Sequence, residues 1–158
     1  MKFKTAITKI EDGKESVRGL KFENLMREHT FTEVIYLILK GELPSEIHRK
    51  MFDAVLVSVI DHGAGTASAM NARISASARN PMHASVAAGL LGLGERHGTV
   101  IEQAMHFFYT NKGNEDIAYL LKEMKAKKEF VMGYGHKIFK DKDPRAHVLL
   151  SVAKELGL

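Results

Sequence analysis

Residues suited to binding and catalysis are concentrated in the stretch from residue 131 to residue 145. Gly133 and Gly135 let the backbone bend tightly and approach a ligand closely. His136 follows at once, and Asp143–Pro144 favours a turn further along. The basic residues that accompany them are Lys137, Lys140, Lys142 and Arg145. A Gly-x-Gly pair alone is a weak signal, but the combination indicates a site for an anionic substrate beside an ionisable imidazole.

Three of the eight histidines lie at glycine-flanked breaks between predicted helices, namely His62, His97 and His136. A histidine at the end of an element reaches a ligand more readily than one inside a helix. The other histidines fall within helical patterns and are interpreted as surface or packing residues: His29, His48, His83, His106 and His147. None of the three lies at the close ligand spacing that is typical of a zinc site, so no metal site is predicted.

The N-terminal residues predict a small β-hairpin. Apolar and polar residues alternate loosely over residues 2–10, and Asp12–Gly13 is a two-residue hairpin signal. A second short run over residues 15–20 returns along the first. The sheet is therefore expected to be limited to the start of the chain.

The helical period begins at Phe22, and a capping box of Thr30 with Glu33 predicts the start of a second helix. Gly41 is placed to end that helix. A third helix over residues 44–60 carries apolar residues on almost every side, which predicts burial on several sides.

The middle of the chain predicts two helices rich in alanine and glycine, over residues 66–78 and 82–93, with Asn80 as N-cap and Pro81 at the first helical position. Such helices can form a tight helical layer or a subunit interface, and a merely alanine-rich core fits the composition equally well. The remaining predicted helices cover residues 99–109, 115–128 and 144–156. The predicted fold class is all-α apart from the hairpin.

Composition narrows the class of protein. The 158 residues, 45% hydrophobic and 27% charged, are typical of a globular protein long enough to bury a core. We expect no membrane span and no signal peptide, and the absence of cysteine fits a cytoplasmic protein. The net charge of +4 leaves an anionic partner open. The lysine-rich stretch 122–142 lacks the interleaved aromatic residues of a base-stacking surface, which favours a phosphate-bearing small ligand over nucleic acid.

Several of these segments, in the same order, resemble citrate synthases and the citryl-CoA lyase module of ATP-citrate lyase. The motif that carries the resemblance is Gly133-Tyr134-Gly135-His136, followed by Lys140 and then Asp143-Pro144-Arg145. The supporting blocks are Thr5-Ala6-Ile7, Val17-Arg18-Gly19, residues 31–37, Gly41-Glu42-Leu43-Pro44, Asp61-His62 and His97-Gly98. The similarity spans nearly the whole chain, and ordered blocks are more specific than one motif.

The resemblance implies a citrate synthase-like fold of two domains. Residues 1–110 would form a large helical domain whose alanine- and glycine-rich helices make a homodimer interface. Residues 111–158 would begin a small domain that closes over coenzyme A. The implied activity is making or cleaving the carbon–carbon bond between acetyl-CoA and oxaloacetate through citryl-CoA, without a metal.

The same resemblance implies a role for each residue of the motifs. His97 would help to enolise the acetyl thioester, and His136 would polarise the oxaloacetate carbonyl. His62 and Arg145 would hold the dicarboxylate. The residues implied in binding coenzyme A are Lys140, Gly133, Gly135 and Lys137. These types suit the chemistry, because an enolate oxygen needs a hydrogen bond and an arginine grips a carboxylate with two.

Two departures qualify the implied activity. Thr99–Val100 stands where the family has Gly-Ala after the enolising histidine. The family's catalytic aspartate lies downstream of Asp-Pro-Arg, and this sequence ends at Leu158. Three alternatives are open: part of a longer protein, half of a split enzyme completed by a partner, or a non-catalytic relative that binds coenzyme A. The sequence leaves the direction of the reaction and the identity of the keto acid open.

Overall fold

The computed structural model describes residues 4–95, 97–98, 100–135, 139 and 141–158. Within these residues the chain forms eight α-helices and one three-stranded sheet. They are grouped into two compact units, one containing the residues up to Ile60 together with Lys142–Leu158, the other Asp61–Asp141. The prediction of a mainly helical chain with an N-terminal hairpin is confirmed. The predicted domain boundary after residue 110 stays a prediction.

The sheet is an antiparallel meander of β1 (Thr8–Glu11), β2 (Lys14–Val17) and β3 (Leu20–Lys21). Thr8 pairs with Val17 and Glu11 pairs with Lys14, so the β1–β2 loop has two residues. Asp12 and Gly13 have φ angles of 50° and 70°, as a two-residue hairpin turn requires. The hairpin and its turn are therefore confirmed, with shorter strands than the sequence predicts.

Two helices follow, α1 (Phe22–Glu28) and α2 (Phe31–Lys40). The predicted capping box is present, because the Thr30 N–H donates to Glu33 Oε2 at 2.6 Å and the Thr30 hydroxyl accepts from the Glu33 N–H. The bond from the Thr30 backbone is the main cause that lowers the pKa of Glu33. Gly41 ends α2 in the left-handed conformation, as predicted.

The core of this unit is small. Its buried apolar side chains in the described part of the chain are Val17, Leu25 and Leu37. Arg18, just after β2, links the sheet to α2, because its Nη2 donates to the Ile38 carbonyl oxygen at 2.7 Å. The sheet and the first two helices therefore share one apolar cluster.

The third helix, α3 (Glu46–Ser58), corrects one prediction. It was expected to be buried on several sides, yet no residue of it is buried, and the side chain of Val57 is 69% exposed. The described elements that pack most against it are α2 and α8 (Pro144–Glu155), which together cover only part of its surface. Apolar residues on every side lead to burial only where neighbours exist on every side.

The unit of residues 61–141 contains α4 (Ala67–Ser77), α5 (Met82–Leu90), α6 (Val100–Thr110) and α7 (Ile117–Ala126). α4 and α5 pack against each other closely. A Cβ at Gly89 would lie 3.3 Å from both Ala72 Cβ and the Ser68 carbonyl oxygen. Of the alternatives left open by the sequence, the close packing of the two small-residue helices is therefore observed, while a subunit interface stays a prediction.

The predicted cap of α5 is wrong. Pro81 occupies the N-cap position rather than the first helical position, and no side chain caps the helix. Asn80 instead donates from Nδ2 to the carbonyl oxygen and hydroxyl of Ser75, at 3.1 and 3.2 Å. The asparagine side chain thus bonds to the last turn of α4, because an asparagine amide can bond to residues that precede it as well as to those that follow it.

The later helices differ from the prediction only at their ends. α7 is shorter than the predicted span of residues 115–128, and α8 begins with Pro144 as predicted. The predicted start of α6 at Thr99 lies outside the described residues. Among the helices that the structure describes, none combines the length and the apolar character needed to cross a bilayer.

Candidate functional site

The turn that carries His97 is closed by its own backbone. The Gly94 N–H donates to the His97 carbonyl oxygen and the His97 N–H to the Gly94 carbonyl oxygen, both at 2.8 Å. Gly98 follows with a φ angle of 92°, which favours glycine. The histidine is half-buried. His97 therefore has a defined backbone position at the break that the sequence predicts.

The imidazole of His97 is held by a residue that the sequence analysis missed. Its Nε2 lies 2.9 Å from Oγ of Ser68, in the first turn of α4. When Nε2 is unprotonated, the serine hydroxyl donates to it, and Nδ1 then carries the ring proton. Ser68 is 29 residues from His97 and reads in the sequence as one more small residue of an alanine-rich helix. No local signal in the sequence distinguishes Ser68 from the other small residues of this helix.

His62 lies in the turn before the same helix and is exposed. Asp61 Oδ1 accepts from the Gly63 N–H at 3.1 Å, and the Thr66 hydroxyl is 3.3 Å from the Gly63 carbonyl oxygen. Thr66 is the N-cap of α4, and its hydroxyl is also 3.4 Å from that of Ser68. The turns that carry His62 and His97 are therefore both anchored to the start of α4.

Arg145 belongs to the other compact unit, in the first turn of α8. Its Nε and Nη2 donate to the two carboxylate oxygens of Asp143 at 3.0 and 2.6 Å. These hydrogen bonds raise the pKa of Arg145 above its ordinary value. Asp143 also caps α8 by accepting from the Arg145 N–H at 2.9 Å, which confirms the prediction that it shapes the turn. The predicted contact of Arg145 with a dicarboxylate stays a prediction.

The glycine-rich segment, residues 131–135, lies beside a large cavity. Gly133 has a φ angle of 86°, and a Cβ there would lie 2.9 Å from Ala104 Cβ on α6. Gly135, with a φ angle of 99°, lines a cavity of about 1170 Å³ between α6, α7 and the glycine-rich segment. Aromatic and other apolar side chains dominate its lining. The cationic residues in the lining are Lys112, Lys125 and Lys128.

Three predicted site residues, His136, Lys137 and Lys140, lie outside the described residues. Their roles stay predictions. In the part of the chain that the structure describes, no three histidine, aspartate or glutamate side chains are grouped as a metal site would need. Of the predicted site residues, His62 and His97 lie on turns that both contact the start of α4. Arg145 is bonded to Asp143. Gly133 packs against α6, and Gly135 lines the cavity.

Comparison with known sequences identifies related proteins. The family model described as "Citrate synthase, C-terminal domain" matches residues 44–158. A 2-methylcitrate synthase from Shewanella oneidensis is 33% identical over 121 residues, which cover 76% of this chain and 32% of that protein. A citrate synthase from Heyndrickxia coagulans is 29% identical over 134 residues, or 84% of this chain and 36% of that protein. The chain thus spans about a third of the length of these relatives.

Solved structures agree with the sequence matches. The citryl-CoA lyase from Hydrogenobacter thermophilus superposes with a TM-score of 0.89 at 40% identity, over 98% of this chain and 61% of that one. The ATP citrate lyase from Methanothrix soehngenii, solved with citrate and coenzyme A, superposes with a TM-score of 0.86 at 27% identity. That match covers 98% of this chain and 26% of the other. Since the family model and the fold agree along most of its length, this chain belongs to the citrate synthase family.

Proposed function

We propose that this protein acts as a citryl-CoA lyase-type enzyme, which makes or cleaves the carbon–carbon bond between acetyl-CoA and oxaloacetate. The observation that carries the proposal is the His97–Ser68 pair, at 2.9 Å, in a chain that superposes with citryl-CoA lyase at 40% identity. We therefore favour a citryl thioester as the substrate.

His97 is proposed to stabilise the enolate. With Nε2 bound to Ser68, a neutral imidazole presents Nδ1–H to the thioester oxygen. As the carbon–carbon bond of citryl-CoA breaks, negative charge moves to that oxygen, and the hydrogen bond strengthens with it. His136 would take the proton from the citryl hydroxyl, which becomes the carbonyl of oxaloacetate. The enolate carbon then takes up a proton to become the methyl group of acetyl-CoA, and in the synthetic direction the same proton is removed. A carboxylate would donate and accept this proton, the role of an aspartate elsewhere in the family.

The substrate-binding roles extend this proposal. His62, on the turn before α4, would contact a carboxylate of the substrate. Arg145 would bind another carboxylate by exchanging its present hydrogen bonds to Asp143 for bonds to the substrate. Gly133, Gly135, Lys137 and Lys140 would bind coenzyme A. A coenzyme A-binding role for this part of the chain is supported by the similarity to the ATP citrate lyase solved with citrate and coenzyme A, and by three lysines around the cavity beside Gly135, whose lining also includes Glu129.

A second copy of the chain is the proposed partner. Several large apolar side chains on α4 and α5 are exposed: Met70, Ile74, Met82, Val86 and Leu90. Exposed apolar residues grouped on neighbouring helices are typical of interaction surfaces. We propose that this surface is covered by the same helices of a second protomer.

The alternative function is coenzyme A binding without independent turnover, in a partner-dependent or non-catalytic protein. This alternative stands beside the first because His97 and His136 have proposed roles, while no residue has been assigned as the base that removes the methyl proton. Binding and turnover must therefore be measured separately.

The deciding experiment is a paired assay of the purified full-length protein. Coenzyme A binding is measured by calorimetry, and turnover by thiol release from acetyl-CoA plus oxaloacetate and by oxaloacetate release from citryl-CoA. The proposal expects turnover that falls at least about 100-fold in His97→Ala, because a hydrogen bond to the enolate is lost, with coenzyme A binding retained. Binding without turnover in either direction supports the alternative. Absence of both overturns the proposal.

A further inference from the structure

A close backbone contact lies under the turn that carries His97. Gly92, just after α5, has no side chain, and a Cβ there would lie 2.9 Å from Ser68 Cα, 3.0 Å from the Ala67 carbonyl oxygen and 2.9 Å from Asn71 Nδ2. Carbon atoms in ordinary contact are separated by roughly 3.5–4.0 Å. The space at residue 92 is therefore closed to any side chain while the turn keeps its present position.

The residue that Gly92 contacts is the one that holds the His97 ring. Ser68 meets Gly92 with its Cα and His97 with its Oγ. Residue 92 and His97 are linked closely, because the Gly92 N–H donates to the Gly89 carbonyl oxygen at 2.9 Å and Gly94 pairs with His97. A shift at residue 92 is therefore passed on to the imidazole rather than absorbed by a loose loop.

We infer that Gly92 is a positioning residue for His97, acting by close approach to Ser68. This inference rests on the enolate-stabilising role proposed above for His97. Alanine at residue 92 would require the turn to move by roughly 0.6–1 Å to restore ordinary contact. Such a movement takes the His97–Ser68 pair out of the normal range for a hydrogen bond. Misplacement by about 1 Å is enough to lower a rate by about 100-fold.

Gly89 provides a matched control. It also faces α4, but a Cβ there would lie 3.3 Å from Ala72 Cβ and from the Ser68 carbonyl oxygen, a smaller conflict within the helix pair. Gly89→Ala and Gly92→Ala both crowd the backbone of Ser68, but the nearest approach is 3.3 Å at Gly89 against 2.9 Å at Gly92, and only Gly92 lies beneath the His97 turn. A difference between the two variants therefore reports positioning rather than general loss of packing.

The test is the ring nitrogen signal of His97 in ¹⁵N-histidine-labelled full-length protein, assigned by its absence in His97→Gln. We expect Gly92→Ala to move the Nε2 signal to its position in Ser68→Ala, while Gly89→Ala leaves it near that of the natural protein. Turnover of citryl-CoA should fall about 100-fold in Gly92→Ala and change little in Gly89→Ala. An unchanged Nε2 signal in Gly92→Ala would overturn the inference.

The signal also separates this inference from the proposed function. If the natural protein shows no turnover but the signal moves as expected, the proposed function fails and the positioning holds. Should Gly92→Ala not fold, Asn71→Ala combined with Gly92→Ala removes one of the three conflicts and leaves the two with the α4 backbone. An unchanged signal in that double variant overturns the inference equally.

Discussion

Asp143 both caps α8 and forms an ion pair with Arg145, and two substitutions can separate these contributions to stability. Its Oδ1 caps α8 by accepting from the Arg145 N–H, and both of its oxygens accept from the guanidinium of Arg145. An asparagine keeps the cap acceptor and loses the negative charge, whereas an alanine loses both.

We therefore expect Asp143→Ala to lower the free energy of unfolding by about 1 kcal/mol, in the range measured for lost N-caps. Asp143→Asn should lower it by less, since ion pairs of partly exposed groups contribute little. Urea unfolding of the full-length protein measures both. Equal losses in the two variants would show that the ion pair, not the cap, dominates.

At the residue scale, the sequence predicted the residues that act through local structure. The Asp143 turn and the glycine-flanked position of His97 both follow from neighbours in the chain. Ser68 could not be found in this way, because its contact with His97 joins segments 29 residues apart. The closed space at Gly92 is equally a product of packing between helices.

At the scale of the element, the capping box of α2 makes stability depend on pH. The hydrogen bond from the Thr30 backbone holds the pKa of Glu33 below its ordinary value of 4.5. A carboxyl group whose pKa is lower in the folded state stabilises the fold above its unfolded pKa, and the contribution is lost as pH falls through the folded pKa.

Glu33→Gln keeps a side-chain acceptor for the box but cannot ionise. We expect the natural protein to be more stable than this variant near pH 7. The difference in unfolding midpoint should shrink as the pH falls below about 4.5, the ordinary pKa of this group. Urea titrations at several pH values measure it. A difference that stays constant down to pH values well below 4 would contradict the assignment.

Because the core of the N-terminal elements is small, two leucines on the same helix should differ greatly in their contribution to the free energy of unfolding. Leu37 of α2 is 2% exposed, and Leu39, two residues on, is 67% exposed. Leu37→Ala should lower the free energy of unfolding by roughly 2–5 kcal/mol, because it leaves a cavity. Leu39→Ala should change it by less than about 0.5 kcal/mol. Similar losses in both variants would mean that Leu39 is covered in the assembled protein.

The elements whose prediction failed share a cause. Periodicity and caps predicted α2 closely, since its Thr30 and Gly41 act within a few residues. α3 carries apolar residues all round, but its burial depends on which other elements surround it. Asn80 could bond either to the end of α4 or to the start of α5, and in the structure its side-chain amide donates to the Ser75 carbonyl oxygen of α4. Periodicity and caps therefore predicted where the helices lie in the sequence, whereas their burial and their contacts depended on packing with other elements.

At the scale of the whole molecule, the proposed second protomer gives a direct test. Ile74 on α4 is 64% exposed in the single chain, and Ile10 on β1 is 73% exposed on a different element. Ile74→Glu places a charge in the proposed interface and should shift the full-length protein toward monomer, because a buried unpaired charge is costly. Ile10→Glu is the control and should leave the mass unchanged.

Sedimentation equilibrium measures the mass of each variant. A natural protein that is monomeric at micromolar concentration would refute the proposed interface. If the natural protein is dimeric and Ile74→Glu dimerises as strongly, the interface lies on another surface.

The mainly helical class, the N-terminal hairpin and the membership in the citrate synthase family could all be predicted from the amino-acid sequence. Those features depend on turns, caps and ordered motifs, which act over short distances along the chain. Three features followed only from the packing of the chain: Ser68 holds His97, residue 92 has no room for a side chain, and α3 is only partly covered. Each of these depends on which segments are brought together by packing, and sequence periodicity carries no information on that pairing.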